Sequence, residues 1–413
     1  MPVTIFPGDG MNGHSLLILC GLVILTSLLV PVASAMDPLW TQPAATSGEL
    51  SCVVISGDGS TIVAGGDQLI ALSRDGRKLW TGWSGSPLVI SREGKYILTS
   101  RDQNVRLFSG SGSLLWEMSL GDYVSELTMM PDASLIAAGG GNRIRLMSAS
   151  GTAFRQNTSI PVSHIRFFPE GDQVVITTKK GIQMSNLTLY SEWTDMNMTQ
   201  DLVEVAADGS SFVTVTNNRI RLYSWDGNLQ WNRALSGGNA LAFAYSRDGS
   251  TIVVGRDDNT VSVLDKSGTL LWTARAAHWI TSVAVSDDGN TIAAGSMDKT
   301  LSVYDRAGTK LGSFNARNAI KTRSVAVSGD GSVIAAVDES AVYGFSRSQF
   351  TQPLTAAVPP SLATVTTPAP ATTYPATLTP ALTTLATTTQ AAVPPVIPLI
   401  ALVLLLLCRS RYT

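Results

Sequence analysis

From about residue 48 to residue 346 the chain repeats one arrangement of apolar and polar positions. Two short runs dense in Val, Ile, Leu and Ala are followed by a third that alternates and by a fourth that usually centres on tryptophan. Turns rich in Asp, Asn, Ser and Gly separate them. Residues 280–314 show the unit best: ITSVAVS, the turn Asp287-Asp288-Gly289-Asn290, TIAAGS, the turn Met297-Asp298-Lys299, TLSVYD, the turn Arg306-Ala307-Gly308, then TKLGSF. Runs this short and this rich in β-branched residues predict strands, and Asp-Gly turns supply the positive φ that tight hairpins need. The first two strands of each unit, nearly continuous in apolar residues, are expected to pack on both faces. The third, with Leu301, Val303 and Asp305 in alternation, is expected to have one wetter face.

The acidic turns fall in one register, at Asp58-Gly59, Glu93-Gly94, Asp132-Ala133, Glu170-Gly171, Asp208-Gly209, Asp248-Gly249, Asp288-Gly289 and Asp330-Gly331. Their spacing of about 40 residues is that of propeller blades. Eight units carry their first three strands, but only seven are followed by a fourth. Pro38-Leu39-Trp40-Thr41 matches the fourth-strand segments around Trp80, Trp116, Trp231 and Trp272, so the missing strand is expected from the N-terminal side. Pairing it with the last unit would close the ring and leave no loose end, with Trp40 as the closure residue. The expected fold is therefore all-β: an eight-bladed propeller of four-stranded blades over residues 36–348.

Two repeat families resemble these units. Gly295-Ser296-Met297-Asp298-Lys299-Thr300-Leu301-Ser302-Val303-Tyr304-Asp305 resembles the end of a WD40 repeat, with Tyr304 at the tryptophan position, and Ile280–Gly289 resembles its start. His278 stands nearer the first strand than the histidine of a typical WD repeat, which sets this chain apart from that family's His-Asp network. The G-x-L-x-W fourth strands instead look like the repeats of PQQ-dependent quinoproteins, which also form eight-bladed rings.

The ends of the chain read differently from the body. Ser15–Val30 is an uncharged apolar run followed by Ala33-Ser34-Ala35, so residues 1–35 read as a signal peptide cleaved after Ala35, or as an uncleaved signal anchor, since no Lys or Arg precedes the run. Residues 349–392 are rich in Thr, Ala and Pro and are expected to be a disordered stalk. Residues 393–413 form an apolar anchor or sorting helix with a basic tip, Arg409-Ser410-Arg411, which places the body outside the membrane. The pattern at Val393, Pro394 and Pro398 resembles the archaeal VPXXXP-CTERM sorting signal, a resemblance that implies processing by an archaeosortase; the alternative is a plain transmembrane helix. Sequons at Asn157, Asn186 and Asn197 are candidates for N-glycosylation on one sector of the body.

Charged residues make up 15% of the chain and its formal charge is −2, which argues against a nucleic-acid partner. Of the three cysteines only Cys52 lies in the body, so no disulfide is expected there. Gly8–Gly13 fits G-x-G-x-x-G but precedes an apolar leader rather than following a strand. The body's two histidines, His164 and His278, fall on different blades and read as strand-edge or loop residues; no metal or other cofactor is expected. Asp257-Asp258-Asn259 and Asp287–Asn290 read as turn formers rather than Ca²⁺ loops. Loops from fourth to first strand and from second to third share one face of a propeller. That face is expected to carry Trp83, Asp102, Asn142, Arg256, Asp257, Trp279 and Asp298, a mixed aromatic and polar set suited to recognition. The functional expectation is an exported, membrane-anchored, non-enzymatic binding or scaffolding module at the cell surface with a protein or glycan partner. Two alternatives are an envelope-assembly scaffold and a PQQ-dependent dehydrogenase; against the latter, the repeat spacing leaves no room for cofactor-binding insertions.

Overall fold

A computed structural model describes residues 36–45, 48–157, 161–195 and 202–351. The leader with Ala35, the C-terminal run with Val393, Pro394 and Pro398, the stalk beyond residue 351, and Asn197 lie outside the described residues. The described chain forms thirty-two strands, β1 to β32, in eight four-stranded antiparallel sheets. Seven sheets are simple meanders, as in β2 (Leu50–Ile55), β3 (Thr61–Gly66), β4 (Gln68–Ser73) and β5 (Lys78–Trp83). The first strand of each sheet packs against the first strands of the two neighbouring sheets, from β2 round to β30 (Val325–Val327) and back to β2, so the sheets close into a ring about an axial channel.

The eighth sheet has the order β1-β32-β31-β30, in which β1 (Trp40–Pro43) pairs antiparallel with β32 (Ala341–Ser346), Trp40 opposite Gly344. The N-terminal strand thus closes the ring as its outermost eighth-blade member, flanked by backbone bonds from Leu39 N to Gly344 O (2.9 Å) and from Ala44 N to Ser340 O (2.8 Å). Residues 349–351, expected to open the stalk, belong to a helical turn, α1 (Arg347–Thr351), whose Phe350 is buried against the body near Phe345.

Burial across a blade differs from the expected gradation in one respect. The second and third strands are the buried pair, as in β27 (Thr291–Ser296) and β28 (Thr300–Asp305), whereas the first strand, β26 (Ile280–Val285), turns half-exposed along its second half. The first strand borders the channel, so only part of it finds neighbours on both sides. The regular alternation appears in the fourth strand, as in β25 (Leu270–Arg275), because the rim of the ring has one face in solvent.

The fourth-strand tryptophans are clasps between blades. The indole N–H of Trp40 donates to Arg74 O (2.9 Å), that of Trp80 to Gly110 O (2.8 Å), Trp116 to Ala149 O (2.8 Å), Trp231 to Lys266 O (3.0 Å) and Trp272 to Arg306 O (2.9 Å). Each acceptor lies in the turn between third and fourth strands of the next blade. The ring lies on a glycine of that turn: at Gly76, where φ is +79°, a Cβ would meet Trp40 at 2.4 Å. Trp193 stacks on Gly227 in the same way. Only the third blade, among those facing such a turn, has no tryptophan; Arg155 takes its place, and the next turn carries buried Leu189 at φ 59° instead of glycine. Across these clefts tryptophan and turn glycine therefore occur together, and where the tryptophan is replaced, at Arg155, the glycine is replaced as well.

Candidate functional site

Because first strands border the channel, any polar side chain they send inward comes into contact with groups from distant repeats. Glu126 opens β10 (Glu126–Met129), His164 and Arg166 lie on β14 (His164–Phe167), Glu204 on β18 (Leu202–Val205), and Arg323 in the loop before β30. Arg166 binds Glu204 through both arms of its guanidinium, Nε to Oε2 at 2.9 Å and Nη2 to Oε1 at 2.8 Å, and donates Nη1 to Glu126 Oε1. Arg323 reaches from the eighth blade to Glu126 Oε2 at 2.8 Å, and His164 Nδ1 lies 3.5 Å from the same oxygen. Three basic side chains from two blades thus converge on one carboxylate that is 2% exposed.

Burial works against ionisation of Glu126, but the Arg166 guanidinium, His164 and Arg323 outweigh it and hold the carboxyl down at about 2. Burial likewise opposes the charge on Arg166, yet Glu204 and Glu126 push its proton affinity well above the ordinary arginine range. The cluster borders a cavity of about 290 Å³ to which all eight blades contribute, with Val53, Leu88, Phe243 and Val283 on the apolar side. The turns between first and second strands form a floor below it. Their backbones bond in sequence around part of the ring, as in Gly57 N to Arg92 O (2.8 Å) and Asp287 N to Gly329 O (2.9 Å), and Arg92 Nη2 meets Asp287 at 2.6 Å between the second and seventh blades.

On the opposite face, the loops expected to carry the recognition set divide into two kinds. Trp83, at the end of β5, is 71% exposed, and Trp279 in the loop before β26 is 46% exposed. Trp83 rests over the buried Arg106 guanidinium, 5.5 Å from ring centroid to Cζ, and Arg106 is itself held by Glu117 at 3.1 Å. Asp102 and Asn142 are exposed in turns between second and third strands. Tyr123, which the sequence reading passed over, is 64% exposed in the corresponding loop between second and third blades.

The other members are tied to their own blades. Arg256 is buried and donates to Ser236 O at 2.7 Å. Asp257 accepts from Asn239 N at 2.7 Å, and Asp298 from Ala277 N and Thr300 N at 2.8 Å each. These two carboxylates shape loops rather than stand free. His278 is exposed, and its Nδ1 accepts from Trp279 N at 2.8 Å. Of the sequons, Asn157 ends β13 (Ala153–Asn157) and Asn186 ends β16 (Gly181–Asn186), on neighbouring blades but at opposite faces. Among the described residues no group of three or more His, Cys, Asp or Glu side chains is placed to hold a metal ion.

The channel cluster was missed in the sequence. Its trace there is one charged Glu or Arg in the first strand of each of three successive repeats: Glu126, Arg166, Glu204. Read singly, each passes for a solvated edge residue; read as a column, they alternate in sign between blades that must touch.

Comparisons with known proteins match these repeats. Residues 268–305 match the family profile described as WD domain, G-beta repeat, and residues 34–226 match that of the outer membrane protein assembly factor BamB. No curated protein matches the chain significantly in sequence. Among solved structures, Sqt1 of Chaetomium thermophilum bound to the N-terminus of ribosomal protein L10 superposes with a TM-score of 0.63 at 13% identity, over 75% of this chain and 99% of that one. The C-terminal WD40 domain of Sif2 gives a TM-score of 0.65 at 14% identity, over 75% and 99% of the two chains. The chain is a β-propeller of WD40-like and quinoprotein-like repeats.

Proposed function

We propose that this propeller is a non-enzymatic interaction module that docks a protein partner on the loop face around Trp83, Tyr123 and Trp279. The single observation that carries the reading is the exposure of these rings on a rigid scaffold, with Trp83 held in place from beneath by Arg106. An aromatic ring already fixed loses little freedom on binding, and such anchors dominate interface energies. The proposal includes export, a membrane-held C-terminus and a position at the cell surface, supported by the apolar leader, the Thr- and Pro-rich segment and the basic-tipped tail in the sequence. A glycan partner and archaeosortase processing belong to the same reading.

The test is a pull-down from intact cells with the wild-type body and with Trp83→Ala and Trp279→Ala. Specific capture that both variants lose supports the reading; capture unchanged in both, or substrate turnover abolished by a loop-face substitution, defeats it. Protease accessibility of the body in intact cells tests the location separately.

The similarity of residues 34–226 to the BamB profile favours a second reading, a scaffold for envelope assembly that takes extended peptides at blade edges. Crosslinking in intact cells separates the two, since only this second reading requires capture of envelope proteins along the fourth strands.

A further inference from the structure

The axial channel is divided in its chemistry. Among the residues lining the cavity of about 290 Å³, every charged side chain comes from the third, fourth or fifth blade or is Arg323. The first, second, sixth and seventh blades present Val54, Val89, Phe243 and Val283, each half-exposed. Toward the floor the same strands line a further space of about 400 Å³, and among its lining residues Glu204 and Tyr245 alone carry polar side chains. Apolar side chains that face one another across such a space keep surface in water that a hydrocarbon chain would cover.

Arg323 gives this space its polar end, and it is a departure from the repeat. Seven residues before the acidic turn, where it stands, the first four blades carry Ser51, Ser86, Ser125 and Ser163 and the seventh carries Thr281. The first strand of the eighth blade is cut to three residues, β30, and the turn before it places Arg323 at φ 61°, a left-handed conformation that a residue with a side chain seldom adopts. Its carbonyl oxygen accepts from Val53 N at 3.0 Å, while the side chain crosses to the third blade. The bond to Glu126 occupies Nη2 alone; Nε and Nη1 make no hydrogen bond among the described residues, in a side chain that is 43% exposed. Both carboxylates are already engaged, Glu126 by Arg166 and Arg323 and Glu204 by Arg166, so the unused hydrogen-bonding capacity of the cluster includes these arginine donors.

We propose that the channel binds a small amphipathic carboxylate, with its carboxylate on the free arms of Arg323 and its hydrocarbon chain along Val54, Val89, Phe243 and Val283 toward the floor. The bond from guanidinium to carboxylate is charge-assisted, and each methylene taken out of water adds about fourfold in affinity. A second charged group on the ligand has little to meet in the lower space, whose wall is apolar apart from Glu204 and Tyr245. None of Trp83, Tyr123 and Trp279 lines the cavity, so the inference stands without the loop-face reading.

The test is calorimetric titration of the propeller, residues 36–351, which closes on itself through β1, with octanoate, hexanoate, octan-1-ol and acetate. The expected result is saturable binding of a single octanoate, with hexanoate and octan-1-ol each about tenfold weaker and acetate without effect. Arg323→Gln should weaken octanoate by about tenfold and leave octan-1-ol unchanged, a split that a purely structural role of Arg323 does not produce. Arg166 and His164 remain on Glu126 in this variant, so it is expected to fold. Val283→Asp, which sets a negative charge on the half-exposed wall, should abolish octanoate binding and keeps the test valid even if Arg323→Gln fails to fold. Trp225→Ala, in an exposed turn of the fifth blade, should leave binding unchanged. No saturable binding of octanoate, equal affinity for octanoate and octan-1-ol, or octanoate binding indifferent to either channel variant in folded form would overturn the proposal.

Discussion

Replacing Glu126 by Gln removes the one carboxylate on which Arg166, His164 and Arg323 converge, and the consequence for stability can be worked out from its titration. Folded, the carboxyl ionises at about 2 instead of the usual 4.5. A folded value below the unfolded one means that the ionised group stabilises the native state fully above about pH 4.5, and that this contribution disappears as pH falls toward about 2. The gap corresponds to about 3 kcal/mol. Removing one member of a buried ionic cluster costs about 3–5 kcal/mol, so the two routes agree at neutral pH. Urea unfolding of wild type and Glu126→Gln at about pH 7 and at about pH 2.5 measures the difference directly, and taking the difference cancels the turn aspartates that also titrate in acid. The difference should be about 3 kcal/mol at the higher pH, should shrink by most of its value at the lower, and should survive high salt because the pair is buried. A difference below about 1 kcal/mol at neutral pH, or one that stays constant into acid, would show that the channel cluster is not held by ionised Glu126.

Three further outcomes follow from the clasps and the closure. Removing residues 36–45 strips β1 from β32 and bares an edge strand, so the product should associate in light scattering and melt earlier; a monomer with an unchanged midpoint would contradict the closure argument. Gly76→Ala puts a methyl at a φ of +79° and against the Trp40 ring, and should lower stability in thermal or urea unfolding by about 2 kcal/mol, against which a loss below about 0.5 kcal/mol would count. Arg155→Trp alone should destabilise because Leu189 occupies the seat of the ring, and Arg155→Trp combined with Leu189→Gly should recover much of that loss; independent, additive effects in a double-mutant cycle would refute the pairing of tryptophan with turn glycine.

What the sequence made legible follows from what a period can encode. The Asp-Gly turns and the apolar runs recur because every blade must solve the same local problem, so eight sheets could be counted and the stray Trp40 segment assigned to the gap. Burial within a blade was harder to read. Leu301, Val303 and Asp305 alternate as a wet strand would, yet β28 has a rim strand outside it, and the alternation there separates two blade interfaces rather than core from solvent. The candidate loop face was legible by topology alone, which is why Trp83 and Trp279 are found exposed while Arg256 is buried: topology fixes where a backbone goes, and the partners within reach, Ser236 O and Asp258 for Arg256, decide where a side chain points.

The same distinction explains why the channel cluster was invisible. It is made by departures from the repeat, Glu126, Arg166 and Glu204 in first strands that are mostly apolar in the other blades. In one chain a departure reads as noise until the ring is closed. Closure brings Arg323 of the eighth blade to Glu126 of the third, 197 residues away in sequence, and sets the end of one blade's fourth strand against the next blade's third. A propeller's regular positions therefore hold it together, and the chemistry particular to this chain is to be sought where two neighbouring repeats break the pattern at the same cleft. That criterion selects the channel wall of the third to fifth blades, and it passes over the many turn aspartates, whose hydrogen bonds repeat from blade to blade and close within their own turns.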